Sequence, residues 1–280
     1  MKLIKRTEIP KPPEVFNLHI ANDHNYIVDG AVVSNCHMAK ADALKSLLTG
    51  VMSRIPLRWG LTGTIPKEPF ESQALKCSLG PVIGRLSASE LQSQGVLAQC
   101  HVNIVQLVDH AEFANYQSEL KFLLEEPDRL DTIANLIRQV NLTGNTLVLV
   151  DRIAAGQGLI ERLDDRAVMV SGATKAKDRQ DEYDEVAEST GKILVCTYGV
   201  AAVGINVPRL FNVIMIEPGK SFVRVIQSIG RGLRKAQDKD HVNIWDITST
   251  CKFAKRHLQK RKIFYKDANY PMSIEKLEYK

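Results

Sequence analysis

The chain lacks any run of about 18 consecutive apolar residues, so hydropathy offers no membrane-spanning helix. Its basic N-terminal stretch MKLIKRTEIPKPPEVF has no apolar core of the signal-peptide kind, so secretion is not expected. The cysteines Cys36, Cys77, Cys100, Cys196 and Cys251 fall at unpaired spacings, and neither CxxC nor HxxxH occurs. A zinc site and a disulfide framework are both disfavoured, and a reduced, cytoplasmic protein with no membrane partner and no bound metal of its own is expected. The pattern GxxxxGK[ST] is also missing, and with it the loop and lysine that cradle nucleotide phosphates. Internal repeats and low-complexity stretches are absent.

What is present describes an ordinary globular protein. A length of 280 residues suggests about two domains. Hydrophobic residues make up 44% and charged residues 25%. The formal charge of +5 is unevenly spread: residues 219–280 hold 15 Lys and Arg against 6 Asp and Glu, whereas residues 1–218 hold 22 against 26. A basic C-terminal region on a slightly acidic body points to an anionic partner, with phosphates the usual candidate.

Two regimes follow along the chain. In residues 1–35, VFNLHI and IVDGAVV read as short strands, with Asp29-Gly30 as a turn, while Lys11-Pro12-Pro13 blocks a helix. From Cys36 the pattern mixes helix and strand. AKADALKSLLTGVM has helical periodicity, and PLRWGLTGTI reads as a buried strand entering a polar turn. EFANYQSELKFLLEE and RLDTIANLIRQVNL read as helices. Strands TLVLVDR, AVMVSG, KILVCTYG, NVIMIEP and VNIWDIT then alternate with helices IAAGQGLIERL, KDRQDEYDEVAES and SFVRVIQSIGRGLRKA, and the basic helix CKFAKRHLQKRK closes the chain. Short β-branched runs between helices imply an α/β fold with a parallel sheet and helices on both faces. Ligands of such sheets bind at the strands' C-terminal ends, so the residues after TLVLV, KILVCT and NVIMIEP are the ones to inspect.

The ordered string VFNLHIANDHNYIVDGAVVSNC resembles the C-terminal fragment of a split intein of the DnaE-like kind. The resemblance covers residues 1–35 and Cys36. Its chemistry suits the residues at these positions. The Asn35 side-chain nitrogen can attack its own backbone carbonyl, forming a succinimide and releasing Cys36. The Cys36 thiol can first accept an upstream acyl chain as a thioester, which then shifts to the freed amine. His24 titrates near neutrality and suits proton transfer at the scissile bond. Ser34 stands where many inteins have His, and Asn17 where many have Asp, which bears on rate. The resemblance implies a partner chain carrying the N-intein half, and no cofactor for splicing.

Residues 36–280 resemble the later part of superfamily 2 DNA helicases of the phage UvsW type. Cys36-His37 matches the end of a DECH-type motif II lacking its Asp-Glu, and Leu61-Thr62-Gly63-Thr64 resembles motif III. TLVLVDR matches motif IV, and Cys196-Thr197-Tyr198-Gly199 through Gly204-Ile205-Asn206 resembles motif V, with Asn206 where many helicases have Asp. Gln227-Ser228-Ile229-Gly230-Arg231-Gly232-Leu233-Arg234 matches motif VI, QxxGRxxR. Arg231 and Arg234, three apart, are expected on one helix face, able to grip phosphate oxygens and stabilise a transferring phosphoryl group. Gly230 and Gly232 are expected to allow close backbone approach.

The resemblance implies ATP and Mg²⁺ in a cleft between two RecA-like lobes. Gln227, Gly204, Gly230, Thr62, Thr64 and His37 fall on the nucleotide side, and Thr197 on the nucleic-acid backbone. Lys252, Lys255, Arg256, Lys260 and Arg261, interleaved with Phe253, Phe264 and Tyr265, are candidates for phosphate and base contacts. The expected division is 1–35 intein fragment, 36–105 end of the first lobe, and 106–280 second lobe. The expected activity is ATP-driven unwinding or branch migration of forked DNA once an N-terminal half is joined. A non-enzymatic nucleic-acid-binding lobe with an inactive intein remnant is the rival reading.

Overall fold

Residues 25–28, 31–35, 46, 48–54, 58–61, 69–205 and 207–279 are described by a computed structural model. They divide into two compact units, Met1–Ile83 and Gly84–Lys280.

In the first unit, strand β1 (Asn25–Val28) pairs antiparallel with β2 (Ala31–Asn35), Val28 opposite Ala31. That register leaves two residues between the strands, Asp29-Gly30, the pair that favours a tight hairpin. β2 in turn pairs parallel with β3 (Arg58–Leu61), Asn35 opposite Leu61. Helix α1 (Pro69–Leu79) buries Leu75 against Leu48. The expected strand VFNLHI and most of the expected helix 39–52 lie outside the described residues.

The second unit is built on seven strands. They are β4 (Gln99–Leu107), β5 (Thr146–Val150), β6 (Ala167–Val170), β7 (Ile193–Thr197), β8 (Asn212–Ile216), β9 (His241–Ser249) and β10 (Met272–Leu277). Their order is β10-β4-β9-β8-β5-β7-β6, and every pairing is parallel. A parallel sheet must be covered on both faces, so its strands are apolar on both sides. TLVLV is buried throughout: Leu147 and Leu149 enter one core, Val148 and Val150 the other.

Helices follow the strands in sequence. α2 (Ala88–Ser93) precedes β4 and opens on a reciprocal cap, in which the Glu90 carboxylate accepts from the Ser87 amide and the Ser87 hydroxyl accepts from the Glu90 amide. α3 (Tyr116–Glu125), α4 (Pro127–Asn141) and α5 (Ile153–Ile160) supply one core with Leu120, Ile133, Ile137 and Leu159. α6 (Ala176–Glu188), α7 (Tyr198–Gly204), α8 (Phe222–Gly232) and α9 (Lys252–Asp267) supply the other with Tyr183, Val225, Ile229 and Leu258.

Three expectations change. The boundary at 105/106 moves to 83/84, because β4 pairs with β9 along its whole length and belongs to the second sheet. β10 was not foreseen: its burial is slight, and the stretch carries no apolar run. The third concerns α9, whose inward residues are Ala254, Leu258, Arg261 and Tyr265.

Arg261 therefore leaves the expected nucleic-acid set. It is fully buried, its Nε and Nη2 donating to both Asp246 carboxylate oxygens at 2.8 Å and its Nη1 to the Gly219 carbonyl at 2.7 Å. The Tyr265 hydroxyl donates to the same carboxylate at 2.6 Å, which removes this ring from any base-stacking role. Lys252, Lys255, Arg256 and Lys260 remain on the exposed face. Removing one partner of a buried pair strands the other charge, at about 3–5 kcal/mol. Arg261→Met is expected to lose that much in urea unfolding, and Lys260→Met about 0.5 kcal/mol or less. Equal effects of the two changes would contradict this placement.

Candidate functional site

The parallel sheet presents two edges, and the residues singled out in the sequence fall on both. At the C-terminal ends of the strands stand Asp151 after β5, Thr197 at the end of β7, and Glu217 after β8. Thr197 is half-buried at the N-cap of α7, and its hydroxyl makes no capping bond. Arg224, in the first turn of α8, donates to Asp151 at 2.7 Å and lies 5.0 Å from the centre of the Tyr198 ring. The Tyr198 hydroxyl donates to the Ile216 carbonyl at 3.1 Å, so the arginine rests on a ring that is itself fixed.

Behind this edge lies a second buried ionic cluster. Arg129 donates to Glu217 at 2.7 Å, to the Leu123 carbonyl at 2.5 Å and to Asp109 at 3.4 Å. Ser249 and Tyr279 also donate to Asp109, and Thr248 donates to Glu217. Burial pushes the Glu217 carboxyl up to about 7, outweighing the pull of Arg129. Glu217 also adopts a left-handed backbone, φ 43°, a conformation unusual outside glycine.

Motif VI lies at the opposite edge. α8 begins at Ser221, whose hydroxyl accepts from the Arg224 amide, and runs back along the sheet. Its far end packs over the starts of β8 and β9. A Cβ built on Gly232 would lie 2.7 Å from a Val213 methyl and 2.9 Å from a Val242 methyl, so only glycine fits. Gly230 behaves differently: its Cβ position meets open space, so no protein atom crowds it.

The helix stops sooner than its sequence pattern implied. α8 ends at Gly232 with Leu233 as its cap, so Arg234 lies just beyond the helix and does not share a helix face with Arg231. The two still sense one another. Burial, then the Arg234 charge, pulls the Arg231 pKa below the usual guanidinium range, and burial does the same to Arg234. The Arg234 Nη1 donates to the Ile205 carbonyl at 3.2 Å, which brings the ends of motifs V and VI together. A half-buried, mutually repelling guanidinium pair favours an anion, because added negative charge offsets both effects. Gln227 is half-buried on the same helix, one turn before Arg231.

Gly204 closes α7, next to the Ile205 that Arg234 reaches. Asn35 is the last residue of β2, and its side chain lies outside the described residues, as do His24, Cys36, His37, Thr62, Thr64 and Asn206. Sequence reading missed Arg224, Arg129, Glu217 and Asp246. Asp151, straight after TLVLV, carried a signal because strand ends hold function; the others become visible only once distant strands pair. Among the described residues no group of three or more His, Cys, Asp or Glu is placed to hold a metal ion. Within the same residues, no helix is long and apolar enough to cross a membrane.

Because the two glycines differ in surroundings, their alanine variants separate. Gly232→Ala is expected to destabilise by about 1–3 kcal/mol through overpacking, and Gly230→Ala to be neutral or to stabilise by up to about 1 kcal/mol through helix propensity. Thermal unfolding measures both, and equal losses would be inconsistent with this packing.

Comparison with known proteins agrees with the fold. Residues 128–236 match the family of the helicase conserved C-terminal domain. The ATP-dependent DNA helicase uvsW of Enterobacteria phage T4 is 25% identical over 226 residues, covering 77% of this chain and 45% of that protein. The crystal structure of T4 UvsW has a TM-score of 0.57 at 20% identity, over 89% of this chain and 54% of that one. A fragment assigned as an HsdR subunit of a type I restriction enzyme from Vibrio vulnificus YJ016 has a TM-score of 0.69 at 16% identity, over 89% and 48%. The chain spans about half the length of the curated relatives it matches. Residues 128–236 are thus similar to the helicase conserved C-terminal domain, and the chain is similar in sequence and in fold to phage T4 UvsW.

Proposed function

We propose that this chain is the C-terminal precursor of a trans-spliced, ATP-dependent DNA helicase. The observation that supports the motor part is the half-buried Arg231–Arg234 pair beside Ile205, whose concentrated positive charge suits a nucleotide phosphate. The arginines grip phosphate oxygens and stabilise charge on the transferring group. Gln227 orients the nucleotide or its attacking water, and Gly204 lets the end of motif V approach it. On the other edge Thr197 contacts the nucleic-acid backbone. Lys252, Lys255, Arg256 and Lys260 add phosphate contacts along the exposed face of α9. The joined protein unwinds or branch-migrates forked DNA.

When bound with the nucleotide, Mg²⁺ would neutralise charge on its phosphates. The described residues hold no cluster to bind it. The carboxylates for that ion, and the phosphate-cradling loop, come from the N-terminal half. Splicing supplies both at once: an upstream chain ending in Asp-Glu, joined to Cys36-His37, completes motif II at the junction itself. Thr62 and Thr64 then relay nucleotide state from motif III.

The splicing reading is supported by the ordered string from DHNY to Ser34-Asn35-Cys36 and by a β1–β2 hairpin that ends on Asn35. The Cys36 thiolate attacks the acyl carbon that the partner chain's N-intein half holds on its own first-residue nucleophile, so the bond to that nucleophile breaks, the nucleophile leaves, and the upstream acyl group becomes a thioester on Cys36. The Asn35 side-chain nitrogen then attacks the Asn35 carbonyl carbon, breaking the bond to Cys36 and leaving a succinimide. His24 moves the protons, and the acyl group shifts from sulfur to the Cys36 amine.

Intact-mass measurement after co-expression with the chain from the same genome that bears the phosphate loop tests this reading. The expected product lacks residues 1–35 and continues through a new peptide bond to Cys36, and Asn35→Ala blocks release of the intein piece. If both chains keep their starting masses while co-purifying, splicing is ruled out and a non-covalent pair remains. Failure to associate leaves only a nucleic-acid-binding lobe.

A further inference from the structure

We propose that Lys239 is a positioning residue for the Arg231–Arg234 phosphate site, acting as an ammonium clamp on the backbone that ends motif VI. This inference rests on the nucleotide reading above and adds a residue to it. Lys239 is almost fully buried, 3% exposed, in a segment whose charges otherwise face water. Its Nζ donates to the carbonyls of Gly232 at 2.5 Å, Arg234 at 2.8 Å and Pro208 at 3.1 Å. An ammonium has three N–H donors, and here each meets one carbonyl oxygen.

The carbonyls at a helix C-terminus lack intrahelical donors and must be satisfied from outside. At the end of α8 three in a row are taken: Gly232 and Arg234 by Lys239, and Leu233 by the Ala98 amide at 2.8 Å. Pro208 follows motif V, so the lysine ties the ends of motifs V and VI at one atom, while the Arg234 side chain ties them again at Ile205. The lysine is itself held. Its amide and carbonyl pair with those of Ala236, and the adjacent Asp238 is fixed by Arg209 at 2.9 and 3.0 Å. Removing the clamp unties the Arg234 backbone and takes the lysine donor from the carbonyls of Gly232, Arg234 and Pro208.

The charge state of the clamp is set by its surroundings. Burial and then the Arg234 charge push the Lys239 amine down to about 8, against the opposing pull of Asp238. On deprotonation the amine keeps two donors for three carbonyls, and its lone pair faces the third. The clamp is therefore intact below about pH 8 and loosened above it.

Sulfate, whose charge is constant over this range, serves as the probe. Its binding to the full chain is followed at fixed ionic strength through the methyl resonances of Ile205 and Leu233, with Ile214 reporting on the sheet. Arg231→Ala and Arg234→Ala are expected to weaken sulfate about tenfold, and Lys239→Met about as much, with the Ile214 signal unmoved. Lys239→Arg restores most of the affinity. In the unaltered chain affinity falls between about pH 7 and about pH 9.5, and in Lys239→Arg it stays flat, because a guanidinium keeps its charge; this pair of titrations decides the matter even if Lys239→Met does not fold. Loss of binding in the arginine variants alone, with Lys239→Met within about twofold of the unaltered chain, would overturn the proposal and leave the nucleotide reading standing. A pH response shared by Lys239→Arg would also overturn it. Arginine variants that bind sulfate normally would remove the nucleotide reading and this proposal with it.

Discussion

A parallel sheet covered on both faces has only its two edges left for chemistry, and the second unit is organised by that constraint. Its helices take up both faces to shield strands such as TLVLV, so most of the side chains gathered at those edges arrive at a strand end or a helix end. Strand ends place Asp151, Thr197 and Glu217 on one edge. The returning helix α8 carries its first turn to that edge and its last turn to the other. Arg224 and Arg231 thus stand at opposite ends of one helix, the first bonded to Asp151 and the second close enough to Arg234 to feel its charge.

The edges stay in place because charges are buried beneath them. Asp246 receives Arg261 and Tyr265, which locks α9 to β9 while Arg261 reaches on to the carbonyl of Gly219. Arg129 draws Asp109 and Glu217 together across the ends of β4 and β8. Glu119 caps α9 by accepting from the amides of Phe253 and Ala254, so α3 sets where the basic helix begins. Such buried pairs are weak evidence of net stability but strong determinants of geometry, since stranding any member is costly. A site whose parts arrive from distant strands needs that kind of fixing.

The fold was legible where periodicity was strong. Short β-branched runs alternating with helices announced the parallel sheet, and the strands 146–150, 193–197 and 212–216 stand where the sequence placed them. β4 and β10 were missed because neither is a continuous apolar run; their pairing follows from the sheet, not from local propensity. Motif VI was legible as residue types, yet its geometry was not. Spacing put Arg231 and Arg234 on one helix, whereas Gly232, pressed against Val213 and Val242, ends that helix before Arg234. Arg261 reads as one more surface cation in KFAKRHLQKRK, and only the position of Asp246, 15 residues earlier on β9, turns it inward. Lys239 gave no signal at all, since three backbone carbonyls leave no mark on composition.

The central claim is that Arg231 and Arg234 serve ATP turnover in a motor completed by a second chain. Steady-state ATP hydrolysis by the joined product, with forked DNA present, tests it most directly. The account predicts that Arg231→Ala or Arg234→Ala lowers kcat by about a thousandfold, whereas Lys276→Ala, on the exposed strand β10 and part of neither edge site, leaves kcat within about twofold. Arginine variants that turn over ATP at the unaltered rate would contradict the account, and the lobe would then be a nucleic-acid-binding module alone.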